Sequence, residues 1–136
     1  MTPEATARAY YEAIDAGEYD ALAGLLAPDF VHDRPDRTLS GRERFVRFMR
    51  DERPRADTDH RVDAVHADAG GEVLVRGRLV GGDGAELFGF VDVFRIVDAG
   101  EGSGDEGSAV EGSDAAARTE ADGRDLVIAD LRTYTN

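Results

Sequence analysis

The sequence predicts an α+β domain in which three N-terminal helices pack on a mostly antiparallel sheet. Three observations predict it: apolar residues repeat at helical spacing up to about Asp51, the repeat becomes strand alternation after Pro54, and glycine clusters at Gly70-Gly71 and Gly81-Gly82-Asp83-Gly84 divide that later stretch into hairpins. A chain of 136 residues has room for one hydrophobic core but hardly for two, so a single domain is expected over 1–136.

The first helix is predicted over 3–16, where Ala7, Tyr10, Tyr11 and Ile14 form a stripe at i, i+3, i+4, i+7. Thr2 is placed to cap it, Pro3 suits its first turn and Gly17 ends it. Tyr19, Leu22, Leu25 and Leu26 continue at helical spacing as a short second helix until Pro28 stops the pattern. Phe30 to Arg34 reads as a short strand, with Pro35 and Asp36 as its turn. Ser40-Gly41-Arg42-Glu43 has capping-box spacing, and the third helix follows with Phe45, Val46, Phe48 and Met49 inward. Its arginines, Arg42, Arg44, Arg47 and Arg50, read as a solvated face.

Four longer strands are predicted at 59–67, 72–80, 86–97 and 125–135. Between the last two, 99–123 is rich in Gly, Ser, Ala and acids, with Val110 as its one sizeable aliphatic residue. Such a stretch cannot bury enough apolar surface to offset its ordering entropy, so it is expected to be a flexible acidic insertion.

Composition excludes several functions. Twenty-nine acidic residues against 16 basic ones give a net charge of −13, and every basic residue is arginine. That field repels phosphate backbones and anionic headgroups, so neither nucleic acid nor membrane is an expected partner. Zero cysteines exclude disulfides, thiol nucleophiles and thiolate-bound metals. No apolar run approaches a membrane span, and the N-terminus lacks a signal-peptide pattern, so a cytoplasmic location is expected. The lysine-free, carboxylate-rich composition resembles that of proteins from salt-accumulating archaea, where salt screens self-repulsion.

The strand at 86–97 is the most informative segment. Alternation puts Phe88, Phe90, Asp92, Phe94 and Ile96 on one face and Leu87, Gly89, Val91, Val93 and Val97 on the other. Both faces are apolar. The helices can cover one, and a second copy of the sheet is the economical cover for the other, which predicts a homodimer through the sheet. Asp92 between Phe90 and Phe94 is poorly solvated, so its pKa is expected to rise, suiting a general acid or base or a neutral hydrogen-bond donor. The alternative reading is a buried structural carboxylate satisfied by backbone donors or an arginine.

Tyr10 and Tyr11 lie on the buried stripe, where filling core volume with the hydroxyl at the boundary is the expected role and a functional one the alternative. His32 and Arg34 share a strand face opposite Asp33, while His60 and His66 bracket another strand. Nothing has the spacing of a metal site such as HExxH, so no metal and no cofactor is expected. The glycine clusters lack the strand–loop–helix order of a phosphate cradle, and no GxSxG elbow is present.

The order of these elements resembles the SnoaL-like branch of the nuclear transport factor 2-like superfamily. The residues that carry it are Ala13-Ile14-Asp15-Ala16-Gly17-Glu18-Tyr19-Asp20, Leu25-Leu26-Ala27-Pro28-Asp29-Phe30, Leu39-Ser40-Gly41-Arg42-Glu43 and Phe90-Val91-Asp92-Val93-Phe94-Arg95. The resemblance implies a cone-shaped α+β barrel with a pocket for a small organic ligand and a tendency to dimerise. Against ketosteroid isomerases, Tyr10 falls at the oxyanion-hole tyrosine and Asp92 at its partner acid, while the general base position holds Arg34. Against SnoaL-like cyclases, Asp92 falls at the acid/base aspartate, with His32, Arg34, His60 and Phe90 around a substrate. Against limonene epoxide hydrolases, Asp92 again fits, but the partner acid is replaced by Thr133 and an arginine by Phe90. The resemblance therefore implies isomerase, cyclase or lyase chemistry through Asp92 and Tyr10, with a non-catalytic binding or accessory module as the alternative.

Overall fold

The computed structural model describes residues 2–53, 57–99 and 125–135. The acidic insertion expected at 99–123 lies, apart from Ala99, outside the described residues. Helix α1, Pro3–Ala16, forms as its signals dictate. The Thr2 hydroxyl oxygen accepts the Ala5 N–H at 3.1 Å, and Gly17 closes the helix at φ 71°, a left-handed conformation that glycine reaches without a Cβ clash. Its Ala7, Tyr10, Tyr11 and Ile14 stripe is buried.

The chain then departs from the expected boundaries. Helix α2 is only Tyr19–Gly24, and strand β1 runs Leu26–Asp33, so Leu26 belongs to a strand rather than to the helix. An apolar residue that faces the core in either state cannot signal which state it adopts. Pro28 is tolerated inside β1 because it lies in a ladder interruption between Leu26 and Val31, where no N–H is required. Strand β2, Thr38–Ser40, was not expected; three residues are too few to show a period. Its pairing puts Ser40 opposite Val31, so the expected Ser40–Glu43 capping box does not form. Helix α3 instead starts at Arg42 from Gly41, whose φ of 96° needs glycine, runs to Arg47 and continues through a π-helical turn to Glu52.

The remaining strands, β3 Thr58–Ala67, β4 Glu72–Gly81, β5 Glu86–Asp98 and β6 Leu126–Thr135, begin and end within a residue of their expected limits. The sheet order is β2-β1-β6-β5-β4-β3, antiparallel throughout except for the parallel β1–β6 pair. Helix α1 packs on β3 to β6 and α3 on β1 and β2, so the helices cover one face. The core between them centres on fully buried Phe30, Phe45 and Phe94, each worth about 1.5–3 kcal/mol of burial. Gly77 serves this face by its lack of a side chain: a Cβ there would stand 2.8 Å from the Phe90 ring and 2.5 Å from the Arg61 carbonyl oxygen. Phe90 can therefore lie against β4, leaving its other side to Tyr11.

On the opposite face, Val91, Val93 and Val97 are only half-buried. Leu74 pairs opposite Val93 and Tyr134 opposite Val91, and both side chains are exposed. The second apolar face expected for β5 thus lies outside the helix cover. Among the described residues no helix is long and apolar enough to cross a membrane.

Candidate functional site

Strand alternation carries Asp92 inward between Phe90 and Phe94, and the side chain is only 5% exposed. Two hydroxyls satisfy it. Tyr11 Oη donates to Oδ2 at 2.6 Å from α1, and Thr133 Oγ1 to Oδ1 at 2.5 Å from β6. The register places Thr133 directly across from Asp92. His32 Nε2 lies 2.7 Å from the same Thr133 oxygen, delivered by the parallel β1–β6 pair. The result is a continuous chain, Tyr11–Asp92–Thr133–His32, that crosses three strands and one helix. No described cation forms an ion pair with Asp92, so the groups in contact with its charge, when present, are the two hydroxyls.

The surroundings are aromatic. The Tyr11 ring lies 5.8 Å from both Phe90 and Phe94, Tyr10 is edge-on to Phe94 at 5.3 Å, and the His32 ring is edge-on to Phe45 at 5.3 Å. His60 stacks obliquely on Tyr11 at 5.0 Å and is held by Asp15 at the end of α1, whose carboxylate meets its Nδ1 at 2.7 Å and its backbone N–H at 3.0 Å. Burial pushes the Asp92 carboxyl above its usual range, opposed by the Thr133 and Tyr11 hydrogen bonds and by the nearby charges of His60 and Arg34. Burial and the Asp92 charge also raise both tyrosines well above their ordinary values. Burial, with help from Arg34, lowers His32 to about 3, so its imidazole is neutral in ordinary buffers.

The structure therefore brings Asp92, His32, His60, Phe90 and both tyrosines together. The tyrosine bonded to Asp92 is Tyr11, while Tyr10, which the resemblance aligns with the oxyanion-hole tyrosine, lies beside it. Neighbouring positions on a helix differ by about 100° in direction, and the sequence stripe could not say which of the two points along β5. Tyr10 makes no hydrogen bond to a described residue. Arg34 sits at the rim, its guanidinium 5.1 Å over the Phe48 ring and its Nε 3.5 Å from Asp36. Thr133 was legible only as a position lacking an acid; its bridging role depends on strand register, which the insertion before β6 hides.

Two concavities flank this site without being lined by Asp92. One, of about 380 Å³, lies where β6 runs on past the end of β1, with Arg34, Thr133, Thr135 and Tyr134 in its wall. The other, of about 510 Å³, lies on the sheet face away from the helices, between Val31, Val97 and Ala129 and the 2.7 Å Arg95–Asp130 ion pair. No group of His, Asp or Glu with metal-holding geometry occurs among the described residues.

Helices packed on one face of a mixed, mostly antiparallel sheet, with a buried carboxylate on the covered side, define an NTF2-like α+β protein. The chain belongs to the SnoaL-like domain family, which matches residues 7–101. Its fold is shared by a proposed polyketide cyclase from Sinorhizobium meliloti, with TM-score 0.65 and 19% identity over 95% of this chain and 93% of that one. It is shared also by a proposed ketosteroid isomerase from Kribbella flavida, with TM-score 0.65 and 20% identity over 98% and 77%. A third relative is a limonene epoxide hydrolase-like enzyme of M. tuberculosis, with TM-score 0.65 and 16% identity over 98% and 82%. At these identities the likeness is one of fold. Among curated proteins, none matches this chain.

Proposed function

We propose that this protein binds a small organic ligand on the helix-covered side of its sheet and that Asp92 exchanges a proton with it, in isomerase, cyclase or lyase chemistry. The observation that carries this reading is a buried carboxyl group with raised proton affinity, held by two hydroxyls and by no ion pair among the described residues. Tyr11 is engaged with Asp92, which leaves the Tyr10 hydroxyl as the donor available to a developing oxyanion. Arg34 and Thr133 wall the 380 Å³ concavity, and Thr133 bonds Asp92, so that concavity is the candidate entry; His32, His60 and Phe90 stand near the carboxylate.

A non-catalytic ligand-binding or accessory module is the second reading. It is favoured by the closely packed rings of Tyr10, Tyr11, Phe45 and Phe94 and by the position of Asp92 behind, rather than in, the described concavities. A thermal-shift screen of small carbonyl compounds, run in concentrated KCl to suit the salt-rich setting that the composition supports, separates the readings. A hit that raises the melting temperature and is also turned over supports catalysis, and one that binds unchanged supports the module.

We also propose a homodimer through the uncovered sheet face. Leu74, Val91, Val93 and Tyr134 form an apolar strip there, beside oppositely charged Arg95 and Asp130. Light scattering at micromolar concentration is expected to give twice the 14.7 kDa chain mass; the single-chain mass would remove the proposal.

A further inference from the structure

Resting on the reading of Asp92 as the proton-transfer group, we infer that Thr133 and His32 form a relay with that carboxylate, in which the His32 tautomer switches as Asp92 gains and loses its proton. The geometry admits two arrangements of the same atoms. With Asp92 ionised, Thr133 must donate to Oδ1, so its oxygen can only accept from His32, whose proton then sits on Nε2. With Asp92 protonated on Oδ1, the carboxyl donates to Thr133, Thr133 donates to Nε2, and the imidazole proton sits on Nδ1.

The two arrangements differ by one proton. A proton taken up at Nδ1 is matched by transfer of the Nε2 proton to Thr133 and of the Thr133 proton to Asp92. The O–H and N–H bonds broken and formed balance along the chain, and His32 ends neutral. The contacts of 2.5 and 2.7 Å are short enough for each hop.

A second observation leaves the histidine free to switch. His32 is 4% exposed, and its Nδ1 is buried with no hydrogen-bond partner among the described residues, so no contact on that nitrogen pins the tautomer and the Nε2–Thr133 contact alone sets it. Thr133 itself reaches the wall of the 380 Å³ concavity. The charged and titratable groups around the relay are Tyr10, Tyr11 and Asp15 on α1, His60 on β3, Arg53 after the π-helical turn, and Arg34 and Asp36 beyond the end of β1. Burial, with Arg34 adding to it, disfavours a lasting imidazolium, so proton passage exchanges tautomers rather than storing charge.

The relay is tested on the full-length protein by long-range ¹H–¹⁵N correlation of the His32 ring, followed together with the Asp92 carboxyl ¹³C signal as pH is lowered. The expected result is a change from the Nε2–H to the Nδ1–H tautomer at the midpoint of the Asp92 titration. Thr133→Ser is expected to keep that coincidence, whereas Thr133→Val and Asp92→Asn are expected to abolish the tautomer change. A tautomer that stays fixed while Asp92 titrates overturns the relay, as does a change that persists in Asp92→Asn. Should Thr133→Val fail to fold, the wild type and Asp92→Asn still decide. The tautomer change is read without turnover, so a working relay in a protein that transforms no ligand would sink the catalytic reading alone. Turnover with a fixed tautomer would sink the relay alone.

Discussion

Asp92→Asn is expected to lower turnover of any ligand the protein transforms by about 10²–10⁴-fold, the usual contribution of a positioned general acid or base, while making the fold more stable at neutral pH. The two effects share a cause. A carboxyl whose folded pKa lies above its unfolded value binds its proton more tightly folded than unfolded, so it costs stability at neutral pH, and that cost declines as pH falls from the folded pKa and is gone below the unfolded one. Asparagine occupies the same volume without the charge, and the Tyr11 and Thr133 hydroxyls can each turn to donate to its carbonyl or accept from its amide. The melting temperature of the variant should therefore exceed that of wild type at neutral pH, and the gap should close on acidification. Retained turnover would end the proton-transfer role. A variant less stable than wild type at neutral pH would show that the two hydroxyls more than offset the cost of burying the charge.

How much of this was legible in the sequence depends on the distance over which each signal acts. The α1 stripe, its Thr2 and Gly17 ends, and the alternation of β5 are local patterns, and they placed Asp92 between two buried phenylalanines. The switch from α2 to β1 at Leu26 and the short β2 were not legible, because buried apolar residues and three-residue strands carry no period. The site was legible as one residue and its aromatic neighbours. Its hydrogen-bond chain was not, because Thr133 meets Asp92 and His32 only through the β5–β6 register and the parallel β1–β6 pairing. Likewise, Tyr11 rather than Tyr10 reaches Asp92 because of the angle at which α1 crosses the sheet, a tertiary quantity with no local signature.

The other large effect concerns acid stability and carries the opposite sign. His32 is lowered from 6.5 to about 3 by burial and by Arg34, so below the unfolded pKa the unfolded chain binds a proton that the folded chain refuses. Stability from this residue is fully present above the unfolded value and is lost progressively down to the folded one. The loss amounts to about 5 kcal/mol across the window at 1.36 kcal/mol per pKa unit, comparable with the entire stability of a small domain. His32→Gln keeps a polar group beside Thr133 but does not titrate, so urea-unfolding free energies for the variant should fall much less steeply over that range. Asp92 gains stability on acidification while His32 loses it, and both proteins contain Asp92, so the difference between their slopes reports the loss of the histidine together with its coupling through Thr133. Concentrated salt damps the changing repulsion among the surface carboxylates of a chain with net charge −13, leaving the buried groups to dominate the profile. Parallel slopes for wild type and His32→Gln would mean that the imidazole charges freely in the folded state, as it would if the space around Nδ1 were open to water.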